Sequence, residues 1–209
     1  MRFSRRSLLS LVVVAPTAGI LTSSSARAAD GAQGSSLRTE RTLGSPDAPV
    51  TVLEFFSLTC THCAAFSRTT FPRVKTELID TGKIRFVFND FPLDKVALAA
   101  AAVARTLPPE RYEPFVQALF ANQDRWAFGR GIDNKEELWK TAALAGMSRP
   151  IFDAAYEDVA LKEWIIAEQN AAQLRYKIEA TPSFVINGHK TSGALDFKGF
   201  SDLITSAAA

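Results

Sequence analysis

One stretch constrains this chain more than any other: Val52-Leu53-Glu54-Phe55-Phe56-Ser57-Leu58-Thr59-Cys60-Thr61-His62-Cys63. An apolar, β-prone run carries a single carboxylate and ends in two cysteines with two residues between them. The segment from Ala64 onward reads as a helix. Cys60 therefore falls at a strand-to-helix turn, where free backbone N–H groups and the helix dipole stabilise an anion. The thiolate is the reactive form of cysteine, so this placement makes Cys60 the candidate redox nucleophile and Cys63 its resolving partner. His62 can add positive charge beside them.

Two other uses of the pair are weaker. A disulfide staple gains stability with loop length, about 1.9 kcal/mol for a four-residue ring against about 3 kcal/mol for fifteen residues. A zinc site wants four ligands, and besides these two cysteines the chain offers only His62 and His189 as soft donors. His62 lies between the cysteines, where ring strain opposes joint coordination. No metal and no cofactor is expected.

Glu54-Phe55-Phe56-Ser57 followed by Cys60-Thr61-His62-Cys63 resembles the active-site strand of the DsbA family. A second stretch, Ala180-Thr181-Pro182-Ser183-Phe184-Val185-Ile186-Asn187-Gly188, is similar to that family's cis-proline loop and the strand after it. The resemblance implies an α/β thioredoxin-like fold interrupted by an all-helical insertion. It also implies thiol-disulfide exchange through Cys60 and Cys63, with the loop at Thr181 and Pro182 beside the sulfurs to bind an extended substrate peptide. A carboxylate occupies the family position of Glu54. Two residues depart from the pattern of DsbA itself. Thr61 stands where proline is found, so no redox potential carries over, and Thr181 also occurs before the proline of the family's isomerases.

Residues 1–28 read as a targeting segment with a basic start (Arg2, Arg5, Arg6), an apolar core from Leu8 to Leu21 and the small-residue end Ala26-Arg27-Ala28. Cleavage is expected after Ala28. Ser4-Arg5-Arg6-Ser7-Leu8-Leu9 resembles a twin-arginine export signal, and an ordinary Sec signal fits as well. Both lead outside the cytoplasm, to the periplasm, where disulfides persist. Four arginines and no acids leave with the segment, so the charge falls from +2 to 20 basic against 22 acidic groups. The basic balance belongs to the precursor, and no nucleic-acid partner is implied.

The domain organisation expected is a flexible arm over 29–41, a thioredoxin-like domain split between 42–93 and 178–209, and a helical insertion over 94–177. Asp30 to Ser45 is Gly/Ser-rich with few large apolar residues. Val50 to Ser57 reads as a strand in which Glu54 is either a polar position on a solvated face or a buried acid. Burial would raise its pKa and poise it to take the Cys63 proton. A helix from Cys60 to about Asp80 should kink near Phe71-Pro72. Ile84 to Phe88 alternates as a strand, and helices follow over about 95–106, 110–126, 135–145, 149–156 and 158–177. Asn134 and Ser148 are expected N-caps and Gly146 a stop. Trp126, Trp139 and Trp164 are expected in the core, with a groove role for Trp126 and Phe128 as the alternative. Asn187-Gly188 predicts a hairpin, with His189 solvated at its turn.

The function expected is a periplasmic oxidase that introduces disulfides into exported cysteine-containing polypeptides and is restored by a membrane reoxidase. Isomerase or reductase action on the same fold is the first rival. Family isomerases dimerise through an N-terminal domain, whereas 13 residues separate Ala28 from Thr42, which points to a monomer. A non-redox peptide-binding chaperone is a rival of a different class, and a glutathione-dependent enzyme would generally lack the paired cysteines.

Overall fold

A computed structural model describes residues 36–208. The expected targeting segment 1–28 and the first part of the arm, 29–35, lie outside the described residues. The elements run β1 (Arg41–Leu43), β2 (Val50–Phe56), α1 (Thr61–Thr69), α2 (Phe71–Val74, continued by a π-helical turn over Lys75–Ile79) and β3 (Ile84–Asp90). Six helices follow: α3 (Lys95–Arg105), α4 (Pro109–Ala121), α5 (Gln123–Trp126), α6 (Asn134–Leu144), α7 (Arg149–Glu157) and α8 (Val159–Tyr176). The chain then returns through β4 (Ser183–Ile186), β5 (His189–Ser192) and α9 (Phe197–Ala207).

The five strands lie in the order β1-β3-β2-β4-β5. The parallel pair β2/β3 is central, with Glu54 opposite Phe88, and β4 runs antiparallel to β2 on its other side, with Phe184 opposite Glu54. Side chains alternate across a strand. Val50, Val52, Glu54 and Phe56 therefore face the main core, while Leu53 and Phe55 face α8 and a smaller cluster with Phe91, Ile178 and Val185. On the main face α1 and α9 are fastened by a chain of rings. Phe66 lies 4.7 Å from Phe184 and 5.8 Å from Phe200, and Phe71 lies 5.3 Å from Phe86. Aromatic contacts at these distances add to the apolar burial, so α1 is held firmly to the sheet whose end it continues.

The kink falls as expected: Thr70 breaks the helix and Pro72, which has no N–H to donate, sits in the first turn of α2. At the hairpin, Asn187 (φ 43°) and Gly188 (φ 90°) take the left-handed conformations that a two-residue turn requires. The alanine-rich helix α3 is buried around nearly its whole circumference, from Ala99 to Arg105, because small side chains let its neighbours approach closely.

Three expectations are corrected. The arm does not extend to residue 41, because Arg41–Leu43 is an edge strand paired with Phe86–Phe88 of β3. Its composition is polar, yet Arg41 is buried, donates to Arg105 O at 2.6 Å and lies over the Tyr112 ring. The N-cap of α6 is Asp133, which accepts from the N–H groups of Lys135 and Glu136. Asn134 instead donates to Trp126 O and Ala127 O. Ser148 does occupy the N-cap of α7 but makes no side-chain cap bond. Finally, Trp126 is a core residue, whereas Trp139 and Trp164 are only partly buried against the core. Trp164 is held instead by the Arg105 guanidinium, 4.6 Å from its ring centre.

Candidate active site

The end of β2 runs into a turn over Ser57–Cys60, closed by Cys60 N donating to Ser57 O at 3.0 Å. Groups of the loop after β3 fix it further. Ser57 Oγ accepts from Leu93 N at 3.2 Å, and Thr59 Oγ1 donates to Asp94 Oδ2 at 2.7 Å. The other oxygen of Asp94 caps α3 by accepting from Ala97 N at 2.8 Å. From the insertion, Gln123 Nε2 donates to Leu58 O at 2.8 Å and Cys60 O at 3.1 Å. Nothing in the local sequence announces Asp94 or Gln123, which come from 34 and 63 residues away from Cys60.

Cys60 is the N-cap of α1, and its sulfur accepts from Cys63 N at 3.4 Å. Both cysteines are free thiols and both are buried, Cys60 at 8 % exposure and Cys63 at 0 %. The difference in depth separates their chemistry. The Cys60 thiol is held well below the ordinary value, at about 5, first by the hydrogen bond from the Cys63 side chain. Desolvation opposes this, and donors from the Thr181 side chain and the main-chain N–H groups of Cys63 and His62 reinforce it. Burial pushes the Cys63 thiol far up, helped by its bond to Cys60 and the negative charges of Cys60 and Glu54.

Glu54 lies on the buried face, 4 % exposed, so the solvated alternative for this residue is set aside. Burial pushes its carboxyl up to about 8, with the Cys60 charge as a second cause. A protonated acid therefore stands behind the sulfurs at neutral pH. His62 is exposed in the first turn of α1, and it is its main-chain N–H that acts on Cys60. The Thr181-Pro182 bond is cis, and Thr181 O accepts from the Cys60 thiol at 3.3 Å. Thr181 Oγ1 is buried and has no other hydrogen-bond partner among the described residues. An ionised Cys60 is the acceptor that this hydroxyl lacks.

His189 is exposed at the start of β5, far along the hairpin from the sulfurs. Phe128 is half-exposed after α5, and the Trp126 indole N–H donates internally to Leu119 O at 2.8 Å. Among the described residues no group of three or more His, Cys, Asp or Glu side chains is placed to hold a metal ion. No helix among them is long and apolar enough to cross a membrane.

A thioredoxin family model matches residues 36–206. The crystal structure of Wolbachia pipientis alpha-DsbA1 superimposes with a TM-score of 0.75 at 32 % identity, covering 81 % of this chain and 91 % of that one. The chain belongs to the DsbA family. A Rickettsia typhi protein that bears the name of a protein-disulfide oxidoreductase is 34 % identical over 150 residues, 71 % of this chain. This DsbA-family chain spans 55 % of that relative's length. Disulfide bond formation protein D of Bacillus subtilis is 26 % identical over 182 residues, 81 % of this chain and 77 % of the relative. The family resemblance in the two motifs thus extends over the whole thioredoxin-like fold and its helical insertion.

The asymmetry of the two thiols has a direct test. Brief alkylation at pH 5 followed by mass mapping should label Cys60 and spare Cys63, because only Cys60 carries appreciable thiolate there. Preferential labelling of Cys63 would reverse the assignment of nucleophile and resolving cysteine.

Proposed function

We propose that this chain is a periplasmic thiol-disulfide oxidoreductase acting mainly as an oxidase on exported cysteine-containing polypeptides. The observation that carries the reading is the placement of the pair, with Cys60 at the N-cap of α1 and its sulfur accepting from Cys63 N while Cys63 is fully buried. This placement holds the Cys60 thiol near 5 and pushes Cys63 far up. A pair so divided is stabilised in its reduced form as one thiolate and one thiol. A disulfide whose reduced form is stabilised is a good acceptor of electrons.

In the oxidised enzyme a substrate thiolate attacks Cys60 Sγ. A substrate–Cys60 disulfide forms, the Cys60–Cys63 bond breaks, and Cys63 leaves with the electron pair and takes a proton. The second substrate thiolate then attacks the substrate sulfur, and Cys60 leaves as a thiolate held by the donors of α1. The substrate dithiol is oxidised by two electrons and the pair is reduced by two. A membrane reoxidase reverses the change at the enzyme.

Glu54 is the proton partner of Cys63, giving the proton as Cys63 leaves and taking it when Cys63 attacks a mixed disulfide. The His62 imidazole, when protonated, adds positive charge beside the thiolate. Thr181 and Pro182 offer backbone groups to an extended substrate segment next to Cys60. The proposed setting includes removal of residues 1–28, export by either the twin-arginine or the Sec route, and action as a monomer. The isomerase reading keeps one supporting feature, the Thr181 hydroxyl before Pro182.

Reoxidation of a reduced multi-disulfide protein should be accelerated by the oxidised chain and not by Cys60→Ala. Suppression of aggregation that survives Cys60→Ala unchanged, without any oxidation by the parent, would favour a peptide-binding chaperone instead.

Glu54→Gln should slow the attack of Cys63 on a preformed mixed disulfide at Cys60, by about a hundredfold if proton transfer is lost. Formation of that mixed disulfide from the Cys60 thiolate should be spared. Stopped-flow kinetics separates the steps, and an unchanged rate of Cys63 attack would reduce Glu54 to a structural residue.

A further inference from the structure

The carbonyl groups of the Ser57–Cys60 turn are shared between two kinds of donor. Ser57 O accepts the Cys60 N–H at 3.0 Å, and Cys60 O accepts the Ala64 N–H at 3.1 Å, which begins α1. Leu58 O and the second acceptor site of Cys60 O are met by one side chain, the carboxamide of Gln123, at 2.8 and 3.1 Å. That side chain is 4 % exposed and stands at the first position of α5, inside the helical insertion. A primary amide nitrogen carries two hydrogens. Both are spent on carbonyls that flank Thr59, so the match is to the turn as a unit. An apolar side chain of the same length would fill the space without satisfying either oxygen.

Buried carbonyls that lose a donor seek another. At the start of α1 the Ala64 N–H goes to Cys60 O, while Cys63 N lies 3.4 Å from the Cys60 sulfur and the His62 N–H also acts on it. The Gln123 amide meets Leu58 O and the open acceptor site of Cys60 O, so the turn holds this arrangement without drawing further N–H groups to its carbonyls. Thr59 is pinned in parallel through Asp94, so the turn is gripped on both sides by segments that lead into the insertion.

We infer that Gln123 is a positioning residue for the redox pair, through which the helical insertion holds the Ser57–Cys60 turn so that the N–H groups of α1 remain with the Cys60 sulfur. This rests on the oxidoreductase reading of the site. Gln123 touches neither sulfur; it acts through the main chain. The insertion thus reaches the site through α5, which helps set the reactivity of the nucleophile.

The test uses the full chain with Gln123→Met, which keeps the volume and loses both donors, and Gln123→Leu, which also loses both donors and adds no charge. The control is Gln117→Met. Gln117 accepts from Ser67 Oγ, another bond between the insertion and α1 but one that does not reach the turn. Two quantities are read: the Cys60 pKa by thiolate absorbance, and the equilibrium of the pair with glutathione. Gln123→Met should raise the pKa by about one unit, a tenfold loss of thiolate at pH below it. It should also make the disulfide about tenfold less oxidising, or about 30 mV. Gln117→Met should leave both at the parent values. If Gln123→Met does not fold, Gln123→Leu decides, with shifts expected in the same direction. Parent values in the Gln123 variants, or an equal shift in Gln117→Met, would overturn the inference. A parent chain with no low-pKa thiol would overturn the oxidoreductase reading itself, and the role of Gln123 with it.

Discussion

An anionic sulfur lying just under a protein surface must be solvated by the protein, and here the Cys63 side chain, the Thr181 side chain and the main-chain N–H groups at the start of α1 supply the donors. A charge buried without such donors costs several kcal/mol and would simply take up a proton. The whole architecture bears on keeping those donors aimed at Cys60. The central strands β2 and β3 deliver the turn to the end of the sheet, and Phe66 locks α1 against Phe184 and Phe200 so that the helix cannot retreat. Thr59–Asp94 and the Gln123 carboxamide then fix the turn itself.

From this one constraint the chemistry of three groups follows. Cys60 sits at the N-cap, and its thiol is pushed down. Cys63 lies one turn further in, without solvent, so burial, its bond to Cys60 and the neighbouring charges push it up. Glu54 is pushed up by burial and then by the Cys60 charge. Groups driven apart in this way are suited to different parts in a reaction, which is the basis for the proposed roles of a nucleophile and a proton-holding pair. The sign of the mutual effect also matters. Oxidation removes the Cys60 charge, so Glu54 ionises more easily in the disulfide form than in the reduced one.

Much of this was legible from local pattern. The apolar run into Cys-x-x-Cys marks the strand-to-helix turn, Pro72 marks the break after α1, and Asn187-Gly188 marks the hairpin, because each depends on a few adjacent residues. Glu54 could be read as an exception within an apolar strand, but its burial depends on which face the neighbouring strands cover. The buried contact of Arg41 and the site-supporting roles of Asp94 and Gln123 were not legible. Their partners lie 64, 35 and 63–65 residues away, and a polar residue in a polar segment gives no sign of a distant carbonyl or hydroxyl that needs it. The edge strand β1 was hidden for the same reason: its pairing with β3 and the burial of Arg41 decide its structure, not its own composition.

The central claim is that the fold stabilises the Cys60 thiolate, and comparing the unfolding free energies of the reduced and oxidised chains tests it most directly. A thiol held near 5 in the folded chain, against about 8.5 unfolded, contributes stability present above the unfolded value and lost as pH falls through 5. At pH 7 that contribution is at most about 2.7 kcal/mol. The disulfide opposes it with about 1.9 kcal/mol from constraining the unfolded chain. Urea unfolding should therefore find the reduced form more stable at pH 7 by up to about 0.8 kcal/mol, the two equal near pH ~6.4, and the oxidised form ahead at pH ~4. An oxidised form that is clearly the more stable at pH 7 would contradict the account.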